Sequence, residues 1–171
     1  MGQLMLQVGH LDQAEELYQE LLKSASTDSE RAHIYHQLGW LKGQQGKYQE
    51  AVKFYEKSNK ILEISLPPTH PNLASSYNNI GGVYNSMGEY SKALEYYEKS
   101  NKIFEISLPP THPDLAISYW SIGDIYSKTD EYSKALSYLE KALGILRMSL
   151  PSTHPHIKSV MNSIAAVKKK L

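Results

Sequence analysis

The stretch Leu66-Pro67-Pro68-Thr69-His70-Pro71 decides the fold of this chain, because it occurs three times. The second copy covers residues 108–113, and the third copy, with one serine in place of a proline, covers residues 150–155. Both steps along the chain are 42 residues long. Self-similarity at a fixed period of this length indicates a tandem array of small structural repeats.

A second sequence phrase keeps the same spacing. It consists of glycine or aspartate, one further residue, an aromatic residue and then alanine three positions later, and its copies begin at Gly46, Gly88 and Asp130. A related copy begins at Gly9, 37 residues before Gly46. Because glycine at such a position favours a turn, Gly9 is expected to separate a short first helix from a second one.

Each repeat is predicted to form two helices. Apolar and small residues recur at every third or fourth position from Leu73 to Tyr84, which is helical spacing. A turn at Gly88 follows, and a second apolar stripe runs from Tyr90 to the proline pair at Pro109. We therefore predict an all-α fold in which residues 1–171 form one array: a truncated first repeat at 1–26, full repeats at 30–66, 72–108 and 114–150, and a terminal capping helix at 156–171.

Local signals predict how the helices begin and how closely they pack. Thr111-x-x-Asp114 has the form of a capping box, which predicts Thr111 as the N-cap of a helix. Small residues recur at Gly39, Gly81 and Gly123. They are expected to let the two helices of a repeat approach closely, since a bulky side chain there would hold the helices apart.

Composition excludes several classes of function. The 171 residues include eighteen basic and eighteen acidic side chains. The chain therefore has no net positive charge that would favour binding to nucleic acid or to a membrane surface. The chain has no cysteine, which excludes disulfides and thiolate-ligated metal. No apolar run is long enough for a transmembrane helix, and the first residues lack a basic secretory leader. A cytoplasmic location without a cofactor is therefore expected.

The aromatic, glycine and alanine positions of the repeat resemble those of tetratricopeptide repeats. The 42-residue period with its His-Pro start resembles the kinesin light chain and nephrocystin class, and Asn78-Asn79-Ile80 is similar to the Asn-Asn-Leu of kinesin light chain repeats. The resemblance implies a right-handed superhelical solenoid of antiparallel helix pairs. It also implies that the first helix of each pair lines a concave groove that binds a linear peptide of a protein partner.

The groove residues implied by the resemblance are also those left over when each apolar stripe is directed inward. Asparagine and glutamine offer a hydrogen-bond donor and acceptor to a peptide backbone, and tryptophan offers a rigid apolar surface. The expected peptide-binding residues are His33, His36, Gln37, Trp40, Ser75, Asn78, Asn79, Asn85, Trp120, Ser121, Asp124, Lys128 and Asn162.

The preference of kinesin light chains for particular peptide sequences cannot be transferred to this chain. Kinesin light chains imply a short ligand with an aromatic residue and acidic neighbours, but His36-Gln37 and Trp120-Ser121 replace the Asn-Asn pair in two of the three full repeats. No lysine or arginine occupies the positions at which some tetratricopeptide repeats hold a terminal carboxylate, so that mode of binding is not expected.

No catalytic or metal-binding motif stands out. No Gly-rich phosphate loop and no Gly-x-Ser-x-Gly elbow is present, and Glu15-Glu16 is expected on a solvated face. His33 and His36 share a helix face without a third ligand, and the histidines of the repeated hexapeptide lie a full repeat apart, which favours a structural role. Two alternatives to peptide binding stay open: an architectural or self-associating array, and a regulatory segment of a larger enzyme.

The two ends of the chain carry opposite charge. Residues 1–30 hold six acidic residues and one lysine, whereas residues 142–171 hold five basic residues and no acidic one. Apolar residues such as Leu4, Leu6, Met161 and Ile164 are expected to leave stacking surface uncovered at the ends. Head-to-tail self-association is one hypothesis, and coverage of both ends by further repeats in a longer protein is the other.

Overall fold

The chain folds into helices joined by short connections. The computed structural model describes the backbone of residues 2–171 and the side chains of residues 10–171, and this part of the chain contains eight helices and no strand. The helices are α1 (Gly2–Ser24), α2 (Asp28–Gln44), α3 (Tyr48–Ser65), α4 (Pro71–Ser86), α5 (Tyr90–Ser107), α6 (Pro113–Lys128), α7 (Tyr132–Ser149) and α8 (Pro155–Lys168). The predicted all-α repeat array is confirmed.

Two compact units divide the chain, Met1–Pro68 with α1 to α3 and Thr69–Leu171 with α4 to α8. In the first unit α2 pairs with α3, and α1 packs on α2. In the second unit α4 pairs with α5 and α6 with α7, while α5 also packs on α6 and α8 packs on α7. The helices that begin after the repeated hexapeptide, together with α2, are called first helices below, and their partners are called second helices.

The N-terminal helix corrects one expectation. α1 runs from Gly2 to Ser24 without a break, so the turn predicted at Gly9 is not formed. The side chains of Leu4 and Leu6 lie outside the described residues. The remaining turns occur where the repeat predicts them, and Gly46, Gly88 and Asp130 have φ of 73°, 74° and 62° in the left-handed region that glycine adopts without strain. Asp130 at the third turn has the same left-handed backbone at a higher conformational energy than glycine, because it carries a side chain.

The repeated histidine, rather than the threonine before it, caps the first helices. His112 is the N-cap of α6 and its Nδ1 accepts the N–H of Asp114 at 3.1 Å, so the prediction of Thr111 as N-cap is wrong. His70 and His154 cap α4 and α8 in the same way. The prolines that follow them at the first helical position donate no hydrogen bond, so the imidazole reaches the next free N–H.

The predicted close approach within each helix pair is confirmed at the small residues. A Cβ atom added at Gly39 would lie 2.9 Å from the Tyr55 ring, and one added at Gly81 would lie 2.7 Å from the Tyr97 ring. In the third repeat a Cβ at Gly123 would lie 2.9 Å from Leu139. Because real Cβ atoms do not tolerate such distances, these glycines let a large side chain of the second helix rest directly on the first helix.

Candidate functional site

All thirteen predicted peptide-binding residues lie on the first helices α2, α4, α6 and α8, and none of them is buried. Each unit therefore keeps its predicted residues outside its core, which is made by the opposite stripe of each first helix. Ala74 and Ile80 of α4 and Ala116 and Ile122 of α6 belong to that core. The face of the first unit and the face of the second unit are described separately.

On α2, the predicted residues combine an exposed indole with a half-buried imidazole. Trp40 is 50% exposed, which is unusual for a large apolar side chain. His36 lies edge-on to the Tyr55 ring with centroids 5.2 Å apart. Burial lowers the pKa of His36, and the neighbouring His33 lowers it further, so a neutral ring that can donate and accept is favoured.

On α4 and α6, one ammonium group connects two neighbouring first helices. Lys128 donates to Asp124 Oδ2 on its own helix at 2.6 Å and to Asn85 Oδ1 on α4 at 2.9 Å. All three side chains keep contact with solvent. The sequence placed these residues on one face, and the structure brings them within hydrogen-bond distance.

A residue that sequence reasoning assigned only to packing reaches the same face. The hydroxyl of Tyr97, on the second helix α5, interacts with Asn85 and Ser121, and it would lie 3.7 Å from a Cβ at Gly82. Burial of this phenol, together with the charge of Asp124, raises its pKa to about 12, so it stays protonated. The adjacent glycines at 81 and 82 were the available signal, because they leave room for a ring to pass.

The remaining residues of this face differ in exposure. Ser75 and Asn162 are exposed, and Asn79 is half-buried. Asn78 is also half-buried, and its Oδ1 has no hydrogen-bond partner among the described residues. Trp120 is half-buried and lies edge-on to His156 of α8 with centroids 6.1 Å apart.

One buried charge in the first unit was not predicted from the sequence. The side chain of Lys42 is only 6% exposed, and its Nζ lies 2.7 Å from Glu15 Oε1 and 3.0 Å from Glu50 Oε2. The prediction of a solvated face for Glu15 is therefore wrong, because this side chain is partly buried against α2. The hydrogen bond from Lys42 lowers the pKa of the Glu15 carboxyl.

Neither a metal site nor a membrane span is found in the described part of the chain. No group of three or more histidine, aspartate or glutamate side chains converges there. No helix among residues 2–171 has both the length and the apolar character that crossing a membrane requires.

Comparison with known proteins assigns the family. The profile of the tetratricopeptide repeat family matches residues 1–64, 58–106 and 72–148, which together span most of the chain. The chain belongs to the tetratricopeptide repeat family. Repeats of this kind typically serve as scaffolds for protein–protein interaction. No curated protein matches the sequence.

Several solved structures share the fold. BtubC (BKLC) of P. vanneervenii is 22% identical, with 98% of this chain and 69% of that chain covered and a TM-score of 0.87. The nearly identical TPR-like repeats of a candidate kinesin light chain from Podosopora anserina are 24% identical, with 96% and 80% covered and a TM-score of 0.78. The apo form of RapI is 21% identical, with 99% and 61% covered and a TM-score of 0.83. These likenesses concern the fold, and they confirm the predicted resemblance to kinesin light chain repeats.

Proposed function

We propose that this chain is a non-catalytic protein–protein interaction module, and that the polar face of its first helices binds an extended peptide segment of a partner. The observation that carries the proposal is the contact of Lys128 with Asp124 and Asn85, because it fixes donors and acceptors of two adjacent first helices in one place. Preorganised polar groups lose little entropy when a ligand binds.

The surroundings of this contact supply the other requirements of peptide recognition. The Tyr97 hydroxyl and Ser121 add polar groups beside it, and Trp120 adds a rigid aromatic surface on the same helix. A peptide backbone has one N–H and one C=O per residue, so it needs alternating acceptors and donors along its path. The thirteen predicted residues stay as proposed contacts, with α2 contributing its own face around Trp40.

The charge of the face gives an expectation about the ligand. Lys128 is already neutralised by Asp124 on its own helix, so the face of α4 and α6 offers little net charge to an acidic motif. We therefore expect a ligand that is selected by an aromatic or apolar anchor and by backbone hydrogen bonds. A cytoplasmic location stays a prediction from the sequence.

A display selection tests the proposal. Random peptides are selected against the chain, and the enriched pool is counter-screened on the Asn78→Ala/Asn79→Ala variant. The matched control is Glu95→Ala, an exposed residue of the second helix α5. We expect a shared motif that binds the wild type and the control equally, and that loses at least tenfold in affinity on the α4 variant, with equal helicity by circular dichroism. Enrichment of no motif, or of a motif that all three proteins bind equally, would contradict the proposal.

Self-association is the second candidate function, and the opposite charge of the two ends favours it. Residues 1–30 are acidic and residues 142–171 are basic, so two copies attract each other when the head of one approaches the tail of the other. This function leaves the first-helix faces of α2, α4 and α6 free for a peptide, because it uses the two ends of the chain.

A further inference from the structure

Helix α8 has the sequence positions of a first helix, but the face that a second helix would cover is exposed. Each full repeat places an aromatic residue and, four residues later, a glycine against its second helix, as Tyr77 and Gly81 do. The equivalent positions of α8 hold Met161 and Ala165. Both are exposed, Met161 by 46%, and no described residue takes the place of a second helix there.

Helix α1 has the sequence positions of a second helix, and the face that a first helix would cover is exposed. In the full repeats, an aromatic residue of the second helix lies against the aromatic residue of its first helix, as in the pairs Tyr35–Phe54, Tyr77–Tyr96 and Tyr119–Tyr138, with centroids 6.2, 6.2 and 6.1 Å apart. The equivalent residue of α1 is Leu17, which is 59% exposed. Leu21 is 43% exposed, although the equivalent Ser58 is buried in the α2–α3 pair. The described chain therefore holds a second helix without its first helix.

Charge matches these two faces. Glu20 of α1 occupies the position of Lys57, whose Nζ lies 5.4 Å from the centroid of Tyr35. A second helix on α8 with the same geometry would place Glu20 beside Met161, the residue equivalent to Tyr35. The guanidinium of Arg147 lies 4.0 Å from Met161 Sδ and lines the groove between α7 and α8. Glu20, which pairs with Lys23 on its own helix at 2.7 Å, would thus approach a second cation at the edge of an apolar contact.

We propose that copies of this chain associate head to tail, with α1 of one copy occupying the second-helix position on α8 of the next. The inference rests on the self-association proposed above and names its interface. Leu17 would pack on Met161, and Tyr18 would face Ala165 as Tyr97 faces Gly81, with the two helices further apart to make room for the alanine methyl. Leu21 would pack one turn further along the contact, and Glu20 would approach Arg147. The contact joins two different surfaces, so each copy has one of each, and assemblies grow at either end unless they close into a ring.

The first test measures mass against concentration. Sedimentation velocity of the whole chain is expected to show association that rises with concentration and weakens with salt, since screening reduces the attraction of the ends. Leu17→Asp is expected to be monomeric. Ile64→Asp, at an 88% exposed apolar residue of α3, is the matched control and is expected to associate like the wild type. Both substitutions are at exposed sites, so equal helicity by circular dichroism is expected.

The second test uses complementation, which loss of folding cannot imitate. Ala165→Arg blocks the α8 face and leaves α1 intact, whereas Leu17→Asp does the reverse. Each variant alone is expected to be monomeric, and a mixture is expected to form a heterodimer with one junction. In the same assay Glu20→Arg and Arg147→Glu should each weaken association about fivefold, and combining them in one chain should restore it.

The outcomes separate the interface from self-association itself. A wild type that stays monomeric at every concentration and salt level overturns both. Association that Leu17→Asp and Ala165→Arg leave unchanged overturns this interface while self-association stands. Peptide binding is measured separately on the first-helix face, and its failure would not affect either result.

Discussion

The α2–α3 pair and the α4–α5 pair share one contact and differ in the next. Both rest a tyrosine of the second helix on a glycine of the first. One turn later along the first helix, α2 has the buried Lys42, which contacts Glu50 of α3, whereas α4 has Tyr84. The ammonium of Lys92, at the position equivalent to Glu50, lies 5.1 Å from the centroid of the Tyr84 ring.

The difference shows which part of the repeat geometry is fixed and which part is free. The glycine fixes the distance between the helices, so it recurs. The neighbouring position varies: an ion pair joins the helices in the α2–α3 pair, and a cation–π contact joins them in the α4–α5 pair. Lys42 also contacts Glu15 of α1, so the α2–α3 pair depends on the preceding helix, while the contact between Tyr84 and Lys92 lies within one pair.

The largest expected effect tests the shared contact. Gly81→Val should lower the free energy of unfolding by about 3 kcal/mol, because its side chain would overlap the Tyr97 ring. Gly39→Val should cost as much against Tyr55. Urea unfolding measures both. Gly82→Ala is the control, since a Cβ there meets only the Tyr97 hydroxyl at 3.7 Å, and it should be neutral or stabilising. A tolerated Gly81→Val would contradict the claim that glycine sets the spacing.

The second-largest expected effect tests the contact that differs between the α2–α3 pair and the α4–α5 pair. Glu15→Gln/Glu50→Gln should cost about 2 kcal/mol, because it leaves the buried ammonium of Lys42 without a charged partner. Lys92→Gln in the α4–α5 pair should cost no more than about 0.5 kcal/mol, since it removes an exposed cation–π contact. If urea unfolding showed equal losses of unfolding free energy, the buried ion pairs of Lys42 would contribute no more stability than the cation–π contact of Lys92.

A smaller effect compares how the first helices begin. Thr27 caps α2 in a capping box with Glu30, whereas His70 caps α4 through Nδ1. Thr27→Ala and His70→Ala should each cost about 1 kcal/mol of stability, and His70→Asn should retain most of it. Thermal unfolding of the three variants measures this. If His70→Ala and His70→Asn behaved alike, the side chain of His70 would not be the cap.

The smallest effect depends on pH. The contact with Lys42 lowers the pKa of Glu15 from its ordinary value of 4.5, so the ionised group stabilises the folded state above that value and the contribution is lost as the pH falls through the lowered pKa. Glu15→Gln should therefore be less stable than the wild type by up to about 1 kcal/mol at neutral pH and should match it in acid. Unfolding curves across this range check the sign, and a difference that persists in acid would refute it.

Much of this fold follows from its sequence because the determinants are local and repeated. Gly81, Gly88 and the hexapeptide act within one helix pair, and their recurrence every 42 residues makes each prediction several times over. The errors arose where a local signal had a competitor. α1 continues through Gly9 as a helix without a turn, and the N-cap of α6 is His112 instead of the neighbouring Thr111.

The candidate site was predictable only in part. Helical period placed Asn85, Asp124 and Lys128 on one face, but it does not measure the distance between two helices, so the contact of Lys128 with Asn85 came from the structure. The Tyr97 hydroxyl was missed because its ring is core, and only the three-dimensional path past Gly82 shows where the oxygen ends. Lys42 was missed because its partners lie on two other helices.

Hydrogen–deuterium exchange with a display-selected peptide tests the central claim most directly. The chain is labelled with and without saturating peptide, and protection is compared between first helices and second helices. Added protection is expected in peptide fragments that cover α4 and α6, centred on Asn85 and Asp124, while fragments that cover α5 and α7 stay unchanged. Protection confined to the second helices α5 and α7, or to α1, would contradict peptide binding on the first-helix face.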